Sequence, residues 1–190
     1  MVQSERLQYF CLKCAQQQHI AVPGEQFTAR LVKELAQEVL DAIERLKRLD
    51  TGIEERLASR PEAALIRTLP GMGVTLTAEF IVEAGSLERF QSADKLAAAS
   101  GLAPVLKQSG KSCVLQRGKG GNKKLKRIFY QSAFSSLKYP ASRTFYDRKR
   151  QAGKRHHQAL IALARRRVNV LWAMLRNQQP FIPKINLAMT

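Results

Sequence analysis

The side chains whose types and spacing could do chemistry lie between residues 101 and 127, which read GLAPVLKQSGKSCVLQRGKGGNKKLKR. Ser109 precedes Gly110 and stands between Lys107 and Lys111, so a hydroxyl able to attack sits among cations able to hold its target. Serine is a weak nucleophile until a base or metal activates it, and Ser-Gly is equally an ordinary turn pair. Five glycines and Pro104 let this backbone turn and approach a ligand without a Cβ in the way. Eight Lys and Arg share the stretch with no carboxylate, which makes an anion the expected ligand. The stretch is expected to be a loop that holds a phosphodiester, with Lys107, Lys111, Arg117 and Lys119 as contacts and Ser109 either a turn residue or a nucleophile.

The charge of the whole chain points the same way. Its 190 residues carry a formal net charge of +17, and 45% hydrophobic content argues against disorder. Residues 1–94 hold 11 Lys+Arg against 14 Asp+Glu, whereas residues 95–190 hold 21 against Asp147 alone. A site for Mg²⁺ needs several converging carboxylates, so the basic half cannot build one by itself. Asp147, four residues after Arg143, reads as a counter-charge on a helix. Cys11, Cys14 and Cys113 fit a reducing compartment, and a single C-x-x-C with His19 nearby lacks the second pair that structural zinc wants. No metal ligand is assigned, and no signal peptide or membrane span is read in the sequence.

Helices must position the stretch. From Phe27 to Leu57, Val32, Leu35, Val39, Ala42, Leu46, Leu49 and Ile53 recur at alternating steps of three and four, a heptad seam with mostly β-branched residues in one core position. This pattern fits a parallel two-stranded coiled coil, or an amphipathic helix packed within its own chain and widened by Leu40 and Ile43. Ser59 is the expected cap of a helix with Pro61 in its first turn, which stops at Leu69-Pro70-Gly71-Met72-Gly73 before a second helix from Val74 to Ala84. Helix, L-P-G-x-G turn, helix is similar to a helix-hairpin-helix, in which the amides of Gly71 and Gly73 would meet a phosphate. It reads equally as a tight interhelical turn.

Beyond it, Ser92–Ser100 predicts a short helix, Cys113–Gln116 a strand, and Gly118–Gly121 a turn. Asn122 then caps a helix to about Lys138 whose first turn carries Lys123, Lys124, Lys126 and Arg127, a placement unfavourable for the macrodipole that suggests a bound anion or, alternatively, a solvated basic face. Pro140 opens a helix with Arg143 and Arg148, closed at Gly153. A last helix, Lys154–Gln178, packs by Ile161, Ala164, Val168, Leu171 and Leu175 and turns Arg165, Arg166 and Arg176 elsewhere. His156 and His157, being adjacent, are expected to point apart as solvated side chains, and Trp172 to join the core.

Several ordered segments together carry a resemblance: IRTLPGMGVTLTAEFIVEAGSLERF, KLAAASGLAPVLKQSGK, GNKKLKR, the run from Tyr139 to Arg176, and Pro180-Phe181. From about Ala64 to Phe181 the chain resembles the insertion-sequence one-ten family of transposases, also described as RNA-guided bridge recombinases. The resemblance implies an N-terminal RuvC-like domain with an Asp-Glu-Asp-Asp metal site, a coiled coil, and a C-terminal domain with a serine nucleophile. By position that serine is Ser109, with Gly101 and Pro104 upstream, and the coiled coil corresponds less securely to Phe27–Leu57. The RuvC-like domain has no counterpart in residues 1–25, so the expectation is a C-terminal part, a truncated copy or a fragment, with Mg²⁺ belonging only to that domain.

The resulting expectation is a mainly α protein: an N-terminal segment 1–25, a coiled-coil-like helix 26–58, a transposase C-terminal domain 59–182 with its helix-hairpin-helix-like element and glycine-rich basic loop, and a tail 183–190. It would be a prokaryotic, nucleoid-associated cytoplasmic protein with DNA and a guide RNA as partners, self-associating through residues 32–53. Gly71, Gly73, Lys107, Lys111, Arg117, Lys119, Asn122, Lys123, Lys124, Arg127, Arg143, Arg148 and Lys154 are its expected nucleic-acid contacts. Two activities compete: strand exchange through a phosphoserine at Ser109, or a remnant that holds DNA or RNA without chemistry. A basic structural RNA binder fits the charge but not the ordered motifs.

Overall fold

The computed structural model describes residues 13, 14, 17, 24–109, 112–117 and 120–183. The chain divides into two compact units, Met1–Lys47 and Arg48–Thr190. Helix α1, Glu25–Ala58, supplies most of the described part of the first unit and continues into the second. Along it, Val32, Leu35, Val39, Leu46 and Leu49 are each more than half exposed, so among the described residues this part of the heptad seam is left uncovered. Burial begins at Leu57, at the helix's C-terminal end.

The second unit is mainly helical, as expected. After α1 come α2 (Pro61–Thr68), α3 (Val74–Ala84), a 3₁₀ turn (Leu87–Arg89), α4 (Ala93–Ala99), strands β1 (Pro104–Ser109) and β2 (Ser112–Arg117), α5 (Lys123–Ser135), a second 3₁₀ turn (Ser136–Lys138), α6 (Pro140–Gln151) and α7 (His156–Asn177). Two expectations need correction. Ser59 does not cap α2: the N-cap is Arg60 without a side-chain bond, while the Ser59 hydroxyl donates to the Arg56 carbonyl at 2.9 Å and finishes α1 instead. The glycine-rich stretch is also not a loop with one strand but an antiparallel ribbon, with Pro104 opposite Arg117 and Ser109 opposite Ser112. The β-branched and leucine positions Val105, Leu106, Val114 and Leu115 supply the strand propensity that the surrounding glycines and lysines obscured.

The core follows from helical periodicity. Leu125, Ile128, Phe129, Ser132 and Ala133 bury one face of α5, and Leu160, Leu163, Ala164, Val168 and Leu171 bury the facing stripe of α7. Phe80 of α3 meets Phe129 edge-on with centroids 5.7 Å apart. Each such fully buried large apolar side chain stabilises the fold by about 1.5–3 kcal/mol. Trp172 joins this core from its half-buried position, its indole N–H donating to the Phe90 carbonyl at 3.2 Å.

One charge enters the same core. Arg167 on α7 is only 5% exposed, and its guanidinium donates to the Ser132 hydroxyl on α5 at 2.7 and 3.0 Å and to the Pro70 carbonyl in the α2–α3 turn. Gly71 lies beside that carbonyl with φ 83°, where a Cβ would stand 2.5 Å from the Ser132 carbonyl oxygen and 3.0 Å from the Ser136 amide nitrogen. The turn is thus pressed onto α5 backbone that cannot withdraw. Gly73, two residues on, is the N-cap of α3 at φ −82°, and a Cβ there would meet nothing within 4 Å. Gly71→Ala is therefore expected to destabilise the chain by at least about 1–3 kcal/mol from backbone strain, read as a lowered Tm in thermal unfolding, whereas Gly73→Ala leaves Tm nearly unchanged.

Candidate nucleic-acid interface

The ribbon that carries Ser109 leaves the helical domain through a narrow neck. Helix α4 ends with the cap Ser100, after which Gly101 turns with φ 61°. A Cβ on Gly101 would stand 2.6 Å from the Gly120 carbonyl oxygen, and one on Gly121 (φ 96°) would stand 2.5 Å from the Gly101 nitrogen and 2.9 Å from the Ala99 carbonyl oxygen. Two backbones cross here at a separation only glycine permits. Beyond them the Leu102 amide donates to the Ala97 carbonyl at 2.9 Å, and the Asn122 amide to the Ala99 carbonyl at 2.6 Å. Both ends of the ribbon are thereby tied to the α4–α5 junction.

Among the expected contacts on the ribbon, Lys107 lies in β1 opposite Val114 and Arg117 ends β2 opposite Pro104, while Ser109 closes β1. Lys111 and Lys119 fall outside the described residues, as do Cys11 and His19. The serine's cross-strand neighbour is Ser112, a second hydroxyl at the same end of the ribbon's ladder.

At the base of the ribbon the first turn of α5 is built as the sequence predicted, but its counter-charge comes from an unpredicted source. The Asn122 side chain accepts from the Lys124 and Leu125 amides at 2.8 and 3.2 Å, a helix cap. Its amide group also donates to Glu83 at 2.9 Å, and the Lys124 ammonium reaches the other Glu83 oxygen at 2.7 Å. One turn earlier on α3, Glu79 accepts from Arg127 at 2.7 Å. The compensation read as a bound anion is therefore supplied within the chain, by two carboxylates spaced four residues apart on α3 that also favour the α5 dipole. Sequence reasoning missed both because they lie 41 and 48 residues upstream of their partners, in the half of the chain with net negative charge.

The remaining contacts spread over α5 and α6. Lys123 is exposed in the first turn of α5. Arg143 is paired to Asp147 at 3.0 Å, as the i,i+4 spacing predicted. The cations of Arg148, Lys149 and Arg166 surround the Phe145 ring at 5.1–5.5 Å from its centre. Lys154 is exposed beyond the end of α6, its carbonyl accepting from Arg150 at 2.9 Å. No group of three or more His, Cys, Asp or Glu side chains among the described residues is placed to hold a metal ion. No helix among them is long and apolar enough to cross a membrane.

Residues 63–147 match the Transposase IS116/IS110/IS902 family. The chain is 46% identical over 180 residues to an insertion element IS900 uncharacterized 42 kDa protein of Mycobacterium paratuberculosis, covering 93% of this chain and 45% of that protein. It is 40% identical over 163 residues to an insertion element IS110 uncharacterized 43.6 kDa protein of Streptomyces coelicolor, covering 85% and 40%. A pilin gene-inverting protein of Moraxella bovis is 34% identical over 149 residues, covering 74% and 46%. The chain thus spans less than half the length of these relatives.

The α3–α5 contact carries a pH dependence. Hydrogen bonds from Lys124 and then Asn122 hold the Glu83 carboxyl below its ordinary value of 4.5. A depressed folded-state value means the unfolded chain binds the proton more readily, so this stabilisation is present above pH 4.5 and is lost as pH falls through the folded value. Glu83→Gln is expected to lower Tm at neutral pH and to flatten the decline of Tm with acid below pH 4.5. Parallel acid profiles for variant and parent would show that Glu83 is not a linked group.

Proposed function

We propose that this chain, which carries a Transposase IS116/IS110/IS902 family domain, handles DNA during transposition and exchanges strands through Ser109. The observation that carries the reading is the glycine-pinned ribbon: it sets Ser109 at the end of a ladder anchored to a basic helix terminus, in a stretch with eight cations and no carboxylate. In the proposed step the Ser109 oxygen attacks a backbone phosphorus, a phosphoserine bond forms, and the bond to one deoxyribose oxygen breaks. The leaving oxygen takes a proton, and the serine's own proton passes to a base. Residues 101–127 hold no carboxylate and no histidine, so that base lies outside the stretch. Lys107, Lys111, Arg117 and Lys119 would stabilise the charge on the pentacoordinate phosphorus.

A Mg²⁺ site does not fit the basic half of this chain, whose only carboxylate, Asp147, is engaged by Arg143. Full activity is accordingly proposed to require a RuvC-like metal domain supplied in cis or in trans. Around the ribbon, Lys123, Arg148 and Lys154 are the cations proposed to contact backbone phosphates of DNA or a guide RNA, with Lys124, Arg127 and Arg143 exchanging their carboxylate partners for phosphate. The α2–α3 turn is proposed as a helix-hairpin-helix-like contact in which exposed Gly73 approaches phosphate and Gly71 shapes the turn. A second reading, a binding module without chemistry, is favoured by the carboxylates already engaged at the base of the ribbon.

The two readings separate on Ser109→Ala. Strand transfer by protein containing the RuvC-like domain is expected to fall to background, and the covalent adduct formed with a nicked suicide substrate to vanish. Folding and DNA affinity should stay within error, because the substitution removes one hydroxyl and leaves every cation. Ser112→Ala is the control and keeps activity. Transfer that persists in Ser109→Ala would put the nucleophile elsewhere, whereas a parent that gives neither transfer nor adduct would support the module reading.

Self-association is proposed through the uncovered seam of α1, whose occupant would be the same helix of a second copy. Its mostly β-branched residues at one heptad position (Val32, Val39 and Ile53, with Leu46) and leucine or alanine at the other suit two parallel strands. Val39→Asp and Leu46→Asp are each expected to convert dimer to monomer in light scattering, since each would bury an unpaired charge. A parent already monomeric at roughly tens of micromolar contradicts the pairing.

A further inference from the structure

Outside the ribbon, one cluster of titratable side chains has no part in the function proposed above. The Tyr130 hydroxyl on α5 lies 2.8 Å from His157 Nδ1, and the Tyr146 hydroxyl on α6 lies 2.6 Å from His156 Nδ1. The two imidazoles, expected to point apart, instead meet edge to face with ring centroids 5.3 Å apart. Three helices thus contribute to one Tyr-His-His-Tyr array at the start of α7. Both histidines are exposed and both tyrosines half-buried, so the phenols anchor from below and the imidazoles face outward.

The hydrogen bonds decide what the imidazoles offer. A phenol is an acid and a neutral imidazole nitrogen a base, so the favoured arrangement has each hydroxyl donating to Nδ1, which leaves the ring proton on Nε2. When the imidazole is protonated, Nδ1 donates to the phenol oxygen and Nε2 keeps its proton. In either state Nε2–H is a donor, and neither Nε2 has a hydrogen-bond partner among the described residues. Between residues 140 and 158 the chain carries six Lys and Arg against Asp147 alone, which Arg143 engages. Two fixed donors in a field of that sign suit an anion.

We infer that His156 and His157, held by Tyr146 and Tyr130, form a second phosphate-binding site that grips a nucleic-acid backbone phosphodiester away from Ser109. The inference rests on the nucleic-acid reading for its ligand but on the Tyr–His geometry for its site. The phosphate oxygens accept from the two Nε2–H groups, while Lys154 and Arg155 at the approach to α7 supply positive charge. The tyrosines are positioning residues, since they act through the imidazoles.

The test uses the whole chain with a fluorescent duplex oligonucleotide and, separately, inorganic phosphate. The double variant His156→Ala/His157→Ala is expected to weaken duplex affinity about three- to tenfold at fixed salt, the loss of one or two hydrogen bonds. Tyr130→Phe/Tyr146→Phe keeps both imidazoles and should weaken it less, while imidazole ¹⁵N spectra shift from the Nε2–H tautomer towards a mixture. In the parent, the duplex should perturb the two Nε2 signals. Unchanged affinity in the histidine variant at unchanged Tm, or Nε2 signals that respond to inorganic phosphate but not to the duplex, overturns the site as assigned. A parent that binds no duplex at all would instead overturn the nucleic-acid reading itself.

Discussion

The fold of the second unit depends on a positive charge that has no carboxylate partner among the described hydrogen bonds. Arg167 on α7 donates to Ser132 on α5 and to Pro70 in the α2–α3 turn, so three segments far apart in sequence converge on one guanidinium. Burial lowers its pKa to about 10, which still leaves it charged at neutral pH. A charge so placed is tolerated only while its neutral acceptors hold their positions, since losing one strands a buried donor. Gly71 completes the arrangement from the other side, because only a residue without Cβ lets the Pro70 carbonyl come down onto α5. With α5 fixed against α7 and the turn in this way, the N-terminal end of α5 has a defined direction, and it is that end to which the ribbon is tied.

The same logic of close backbone approach recurs at the neck. Gly101 and Gly121 cross at a distance that excludes side chains, and Asn122 joins the two by donating its amide to Ala99 while capping α5. A ribbon of two strands is marginal on its own, so its orientation must come from its base. Glu83 reinforces that base by holding the Asn122 side chain and Lys124 together. The chain therefore spends two of its carboxylates where the positive charge is densest, and its acidic and basic halves meet across the α3–α5 contact.

How much of this was legible in the sequence follows from the range of each interaction. Helix starts written locally were readable: Asn122 caps as its spacing implied, a short helix starts after Ser92, and Pro61 and Pro140 sit in first turns. Ser59 failed because the same hydroxyl can serve the helix behind it as well as the one ahead. The apolar stripe of α7 was readable, but Arg167, which shares its buried face, was not picked out among the neighbouring arginines. Contacts such as Glu83 with Lys124, or Tyr130 with His157, join residues that no local pattern links. The ribbon's strands were short enough for five glycines and eight cations to dominate the composition around them.

The distribution of donors and acceptors bears on how the two proposed phosphate sites divide the work. On the ribbon, a phosphate would meet flexible lysine charges, which attract at a distance but fix orientation poorly. At the start of α7 it would meet imidazoles locked by phenols, which attract less at a distance but hold one geometry. Strand exchange needs both, because a reacting phosphorus must be free to change its ligands while the flanking backbone must not slip. Locked donors on the helical body and a serine at the end of a ribbon pinned at its neck would together meet both demands. On the proposed function, the body would register the duplex and the ribbon would bring the serine to the phosphate.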